Sequence, residues 1–228
     1  MTSKTHQSFG LMMGQVFYPN FINIIPLQNK FYWSIGFILG IMWGALIPDI
    51  DAPHSEFSQR LISQKKLSSF LSIFLSFLIS IRIFNLIDPN NLLYFFGIFI
   101  LSFFILSSFL NIFIKKYFIH RGFAHTLWNL LIINIFLLFP QKIFLSLPLF
   151  ASLIYNGFIW GINLGYLSHL IGDSLTFSGI RPFFPLDFKI SLGLFRTNSF
   201  TERILFYFFN FMNLILLVRY ITIVGGLK

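Results

Sequence analysis

Apolar residues in this chain come in blocks of roughly 14 to 25, the length scale on which a helix crosses the hydrocarbon core of a bilayer. That patterning leaves few folds open. Of 228 residues, 56% are hydrophobic and only 10% charged, so a soluble globular domain is excluded and a polytopic helical membrane protein is expected. The expected class is all-α: a membrane helical bundle of about five to seven segments, with residues 1–228 forming a single integral domain. The sequence holds no cysteine, which rules out disulfides and thiolate metal sites. The N-terminus lacks the charged, apolar and cleavage-site sequence of a removable signal.

In chain order, residues 5–27 form a moderately apolar helix interrupted at Pro19-Asn20 and Pro26. A short span follows over 31–47, with Gly36, Gly40 and Gly44 every four residues, so one face admits a close neighbouring helix. Pro48 ends it. Residues 67–87 and 92–114 make a helical hairpin around Asp88-Pro89-Asn90-Asn91, and 126–139 and 147–168 make another around Pro140-Gln141-Lys142. The last span covers 204–224. Three polar stretches, 48–66, 115–125 and 173–203, separate these blocks.

The net charge of +9 reports topology when read by location. With seven crossings starting inside, one side receives Lys4, Arg60, Lys65, Lys66, Lys115, Lys116, Arg121, Arg181, Lys189, Arg196 and Arg203, which is 11 of the 16 basic residues. The positive-inside rule makes that side cytoplasmic. It is also where the unusual polar residues gather. Four of the five histidines and three of the seven acids fall in four short knots there.

His169 and Asp173 lie four residues apart, so on a helix they turn about 400° and share one face, one turn apart. An imidazole and a carboxylate so placed can share one cation. In Pro48-Asp49-Ile50-Asp51, an extended backbone would point both carboxylates the same way, as two hard oxygen ligands. His120 and His125 face apart on a continuous helix, five residues turning about 500°. A bend at Gly122, with a new helix starting near Thr126, would bring both inward. Taken singly, each knot suits a solvated cap or a hydrogen-bonded pair equally well. Convergence on one membrane face is what points to a metal.

His6, Pro48-Asp49-Ile50-Asp51-x-Pro53-x-Ser55, His120-Arg121-Gly122-x-x-His125 and Gly165-Tyr166-Leu167-Ser168-His169-x3-Asp173-x2-Thr176-x2-Gly179 occur in that order. This pattern resembles the YdjM-like family of predicted membrane-bound, metal-dependent hydrolases of bacterial inner membranes. The resemblance extends through Pro185 and Thr197–Arg203. It implies a divalent metal, zinc first, with manganese, iron or magnesium open. The ligands and catalytic groups would come from Asp49, Asp51, His120, His125, His169 and Asp173, with His6 completing the set. Arg121, also set among the catalytic groups, and Arg181 would neutralise an anionic substrate, and Ser55, Ser174 and Thr176 would orient ligands. The chain departs from the family at Ala52, where a histidine is common, so His54, two residues on, does not inherit a ligand role.

The His-x3-Asp element also resembles the all-His/Asp clusters of zinc-dependent phospholipase C and related nucleases. By that analogy the substrate is a phosphoester or lipid headgroup at the cytoplasmic membrane face, with the bilayer as partner and no nucleic acid expected. Oligomeric state is not encoded in any feature of the sequence. Two other classes use the same residues. A cation or proton transporter would string them along span interiors, whereas here they cluster at span ends. A non-catalytic protein would use the metal as a staple between helices.

The topology is directly testable. Cysteine labelling at positions 60, 118 and 190 should report the cytoplasmic side at all three. A periplasmic result at any one of them removes the single-face arrangement.

Overall fold

A computed structural model of the chain describes residues 1–51, 64–87, 92–117, 122–145 and 148–225. Among these residues there are seven α-helices, here numbered α1 (Ser3–Ile22), α2 (Lys30–Gly44), α3 (Gln64–Ile87), α4 (Leu92–Tyr117), α5 (Leu127–Leu145), α6 (Leu149–Ser174) and α7 (Phe200–Gly225). Short 3-10 turns cover Leu27–Asn29, Ile47–Asp51 and Phe123–His125. No strand forms among the described residues, only two isolated bridges, Thr176 with Phe195 and Ile180 with Ile190. Among the described residues, three helical stretches are long and apolar enough to cross a membrane: Leu27–Asp49, Leu92–Ile112 and Phe200–Arg219.

The chain divides into two compact units, Met1–Ile50 with Arg121–Lys228, and Asp51–His120. The second unit is the α3–α4 hairpin. Ser68, Ser72, Ser76 and Ser80, one every four residues of α3, are all buried. Ser72 and Ser80 donate back to the carbonyls of Ser68 and Ser76 at 2.7 Å, which satisfies the hydroxyls without an external partner.

The first unit is built on α2 and α6, whose backbones meet. Gly36, Gly40 and Gly44 of α2 face Gly157, Gly161 and Gly165 of α6. A Cβ at any of the six would run into a backbone carbonyl of the opposite helix. Helix α1 lies across both, and its stripe His6, Gly10, Gly14, Tyr18 and Ile22, again spaced by four, is buried. A Cβ on Gly10 would meet Ser168 Oγ at 3.1 Å and Ala45 Cβ at 3.2 Å, so this contact too depends on a missing side chain. Helix α7 closes the outer side of α1 through Phe9 and Phe209, with ring centroids 4.9 Å apart.

Polar residues within these helices are paired rather than exposed. Asn134 and Asn163 exchange amide bonds of 2.7 and 2.8 Å between α5 and α6, and Trp33 donates to Asn156 at 3.1 Å. Such pairs let a helix carry polar groups where water is absent.

Two boundaries differ from the sequence expectation. Helix α5 runs through Pro140 to Leu145, because a proline forfeits one helical hydrogen bond without obliging the chain to turn, and Pro148 caps α6. Pro19 likewise sits inside α1, which ends three residues later at Ile22.

The interlock gives a signed prediction. Gly161→Ala drives a methyl into the Phe37 carbonyl and should destabilise the protein by about 1–3 kcal/mol. Gly97→Ala in α4 meets nothing within 4 Å and should be neutral or stabilising by up to about 1 kcal/mol. Thermal unfolding of the two variants in detergent compares them, and equal effects would remove the close-packing account.

Candidate metal centre

Chain direction brings the polar knots together. Helices α1, α5 and α7 begin, and α2 and α6 finish, at one end of the first unit. His6 is in the first turn of α1, Asp49 in the 3-10 turn after α2, and His125 in the 3-10 turn before α5. His169 and Asp173 are in the closing turns of α6. His6, His125 and His169 are fully buried, Asp173 is 1% exposed and Asp49 6%.

Four donor atoms converge. The Nε2 atoms of His125 and His169 are 3.3 Å apart. Asp173 Oδ2 is 3.5 Å from the first and 3.7 Å from the second. Asp49 Oδ1 is 3.8 and 3.7 Å from the same two nitrogens. Nitrogen and oxygen ligands held about 2.0–2.2 Å from a tetrahedral ion lie roughly 3.3–3.6 Å from one another. The donor set therefore has the chemistry of a divalent-cation site, at separations of 3.3–3.8 Å that slightly exceed those of bound ligands.

Each donor is oriented by a specific contact. His169 Nδ1 lies 2.7 Å from the carbonyl oxygen of Ala45, an atom that can only accept. The proton is therefore on Nδ1, and the lone pair of a neutral ring is on Nε2, facing the cluster. His125 is placed through its neighbours. Tyr166 donates to the carbonyls of Ala124 and Thr126, at 2.6 and 2.8 Å, from full burial on α6. Thr126 Oγ1 accepts from Asn129 N at 3.1 Å, capping α5 as the sequence suggested. Asp49 gives its second oxygen to Ser3, whose hydroxyl donates to Oδ2 at 3.0 Å.

The second oxygen of Asp173 carries its own set. His6 Nε2 is 3.1 Å from Oδ1, and the α-ammonium group of Met1 is bonded to the same atom. The His6 ring stacks on His169 with centroids 3.6 Å apart and planes 12° from parallel. A Cβ on Gly172 would stand 3.2 Å from His6 Nδ1, so this glycine makes room for the ring.

Of the expected site residues, the structure unites His6, Asp49, His125, His169 and Asp173. His120, Arg121, Ser55 and the excluded His54 lie outside the described residues, as does the side chain of Asp51. The backbone over Ile47–Asp51 is a 3-10 turn and not the extended run that would align carboxylates at every second position. Pro48 suits such a turn through its fixed φ. Thr176 is buried and donates to the carbonyl of Asp173 at 2.8 Å, holding the chain as it leaves α6. Ser174 instead turns back to the Ile171 carbonyl at 2.7 Å. Arg181 pairs with Asp187 at 3.2 Å, both at the surface.

Three contributors escaped the sequence reading: Ser3, the Met1 amine and Glu202. Glu202 is 2% exposed and accepts from the backbone N–H of Thr2 and of Asn198, both at 2.5 Å. It thereby ties the start of α1 to the start of α7. Ser199 and Glu202 have the spacing of a capping box, and Glu202 N donates to Ser199 Oγ at 3.3 Å. That signal was available; the link to Thr2 was not.

Compared with known protein families, the chain matches over residues 1–225 the family described as YdjM inner membrane protein. No curated protein and no solved structure gives a match.

Tyr166 is the support that can be removed most cleanly. Tyr166→Phe removes the proton that the Ala124 and Thr126 carbonyls share, leaving them only long bonds of 3.4 Å from Asn129 Nδ2 and Leu130 N, and should cost about 1–2 kcal/mol, read from unfolding in detergent. Asn129→Ala removes only long bonds of 3.3 and 3.4 Å from Nδ2 and should cost less. The reverse order would show that the amide, not the phenol, holds the His125 turn.

Proposed function

Since the chain belongs to the YdjM inner membrane protein family, we propose that it is a membrane-bound, metal-dependent hydrolase acting on a phosphoester or lipid-type substrate at the cytoplasmic face. The convergence of His125, His169, Asp49 and Asp173 supports this reading most directly. These four would hold a divalent ion. Their mixed nitrogen and oxygen chemistry favours zinc, with manganese, iron or magnesium as other occupants. A bound ion of this kind supplies Lewis acidity to a phosphoryl oxygen and makes a water easier to deprotonate.

The chain supplies orientation and exclusion of bulk water. The Ala45 carbonyl fixes the His169 tautomer, Ser3 holds Asp49, and Tyr166 holds the turn that carries His125. His6 and the second oxygen of Asp173 extend the donor set beyond the four that a closed tetrahedral staple would use. That excess favours chemistry over a purely structural ion. The location at helix ends, with paired asparagines and apolar side chains along the helices, disfavours a transport path.

A structural site remains the second reading, favoured by one observation: the four converging donors come from the protein and are almost wholly buried. Metal analysis of purified protein, combined with a hydrolysis screen over phospholipids and model phosphodiesters, separates the readings. His169→Ala and Asp173→Ala should each weaken metal binding by about tenfold or more and abolish turnover. His54→Ala should leave metal content unchanged. Metal flux into sealed vesicles without a chemical product would identify a transporter. Loss of fold on chelation, with no product from any ester, would identify a structural site.

A further inference from the structure

Charge balance exposes a shortfall in a single-ion centre. Asp49 and Asp173 bring two negative charges into a buried cluster of otherwise neutral rings. One divalent ion cancels them and, among the described side chains, leaves little net charge to attract an anionic phosphoester; Arg121 lies outside the described residues. Arg181, expected from sequence to do this, is engaged with Asp187 at the surface, 3.2 Å away. Positive charge must come from elsewhere in or beside the cluster.

The two aspartates each divide their oxygens between different surroundings. Asp173 turns Oδ2 to His125 and His169, at 3.5 and 3.7 Å, and Oδ1 to His6, at 3.1 Å. Asp49 turns Oδ1 to His125 and His169, at 3.8 and 3.7 Å, and Oδ2 to Ser3, at 3.0 Å. His6, Asp49 and His169 each bring a ligand atom within 4.8 Å of one another, as do His125, His169 and Asp173. The two donor groups overlap at His169, and Asp173 Oδ1, on the side away from His125, is shared by His6 and the Met1 amine.

We propose that the centre takes two divalent cations bridged by Asp173, the second held by His6 Nε2, Asp173 Oδ1 and Asp49 Oδ2 in place of the Met1 ammonium and the Ser3 hydroxyl. This rests on the metal-dependent reading above and specifies its substrate class. A pair of cations carries a net positive charge after both carboxylates are counted, and suits a phosphoester whose attacking and leaving oxygens both need stabilisation. His6 is then a metal ligand, and its stacking on His169 is the consequence of two sites side by side.

The test counts ions in the full-length protein in detergent, loaded with zinc or manganese alone and washed free of excess. The wild type should retain two ions per chain, and His6→Ala one. Loaded with manganese, the wild type should give the broadened electron paramagnetic resonance spectrum of a coupled pair, and His6→Ala the six-line signal of an isolated ion. The wild-type spectrum decides even if the variant fails to fold. One ion in the wild type, with an uncoupled spectrum, overturns the two-cation centre and leaves the single-ion reading standing. Two ions retained in His6→Ala also overturn it, because His6 would then hold neither. No retained ion in the wild type overturns both readings.

Discussion

The contact between the backbones of α2 and α6 is the constraint on which the centre depends. Six glycines, three on each helix at intervals of four residues, let carbonyl oxygens of one helix lie where side chains of the other would be. Small residues at such a crossing allow close approach, which in lipid replaces the hydrophobic drive that water would supply. The consequence appears at the end of the crossing. Ala45, one residue beyond α2, is close enough for its carbonyl to accept from His169 on α6, and Asp49 follows within one further turn. A wider crossing would separate the Asp49 donor from the His169 and Asp173 donors. It would also release the His169 ring to its other tautomer.

The remaining donors reach that end by separate routes. Helix α1 carries His6 at the head of a buried stripe whose glycines fit the groove between α2 and α6. Its first turn is held by Glu202 through Thr2 and by Ser3 through Asp49. His125 arrives from α5, in a turn fixed by the phenol of Tyr166. The centre is thus assembled from sequence positions 1–6, 45–49, 124–126, 166–173 and 202, none of which is local to the others.

That dispersion explains what the sequence could and could not disclose. The His169-x3-Asp173 spacing was legible because a helix fixes the relation of residues four apart, and both do lie on the final turns of α6. Gly36, Gly40 and Gly44 announced a close neighbour, yet Gly157, Gly161 and Gly165 carry the same period and were not matched to them. His6 was uninformative alone; its meaning comes from α1 crossing α6. The alignment of Asp49 with Asp51 required an extended backbone, whereas Ile47–Asp51 is a 3-10 turn. Ser199 and Glu202 carry a capping-box spacing, but the bond from Glu202 to Thr2 is a tertiary contact that no spacing rule contains.

Burial then decides what the cluster can be. Two carboxylates and three imidazoles with relative exposures no higher than 6% cannot rest there as bare acids and bases, because like charges that share a site oppose each other's ionisation. The His125 and His169 Nε2 atoms, 3.3 Å apart, can share one proton but cannot both donate toward each other. One shared proton and the Met1 ammonium would balance Asp49 and Asp173. Each of those positive charges sits beside an oxygen that also has metal-ligand spacing. A proton satisfies one pair of lone pairs, whereas a divalent ion would satisfy three or more donors at once, and two groups of three lie close enough together for that.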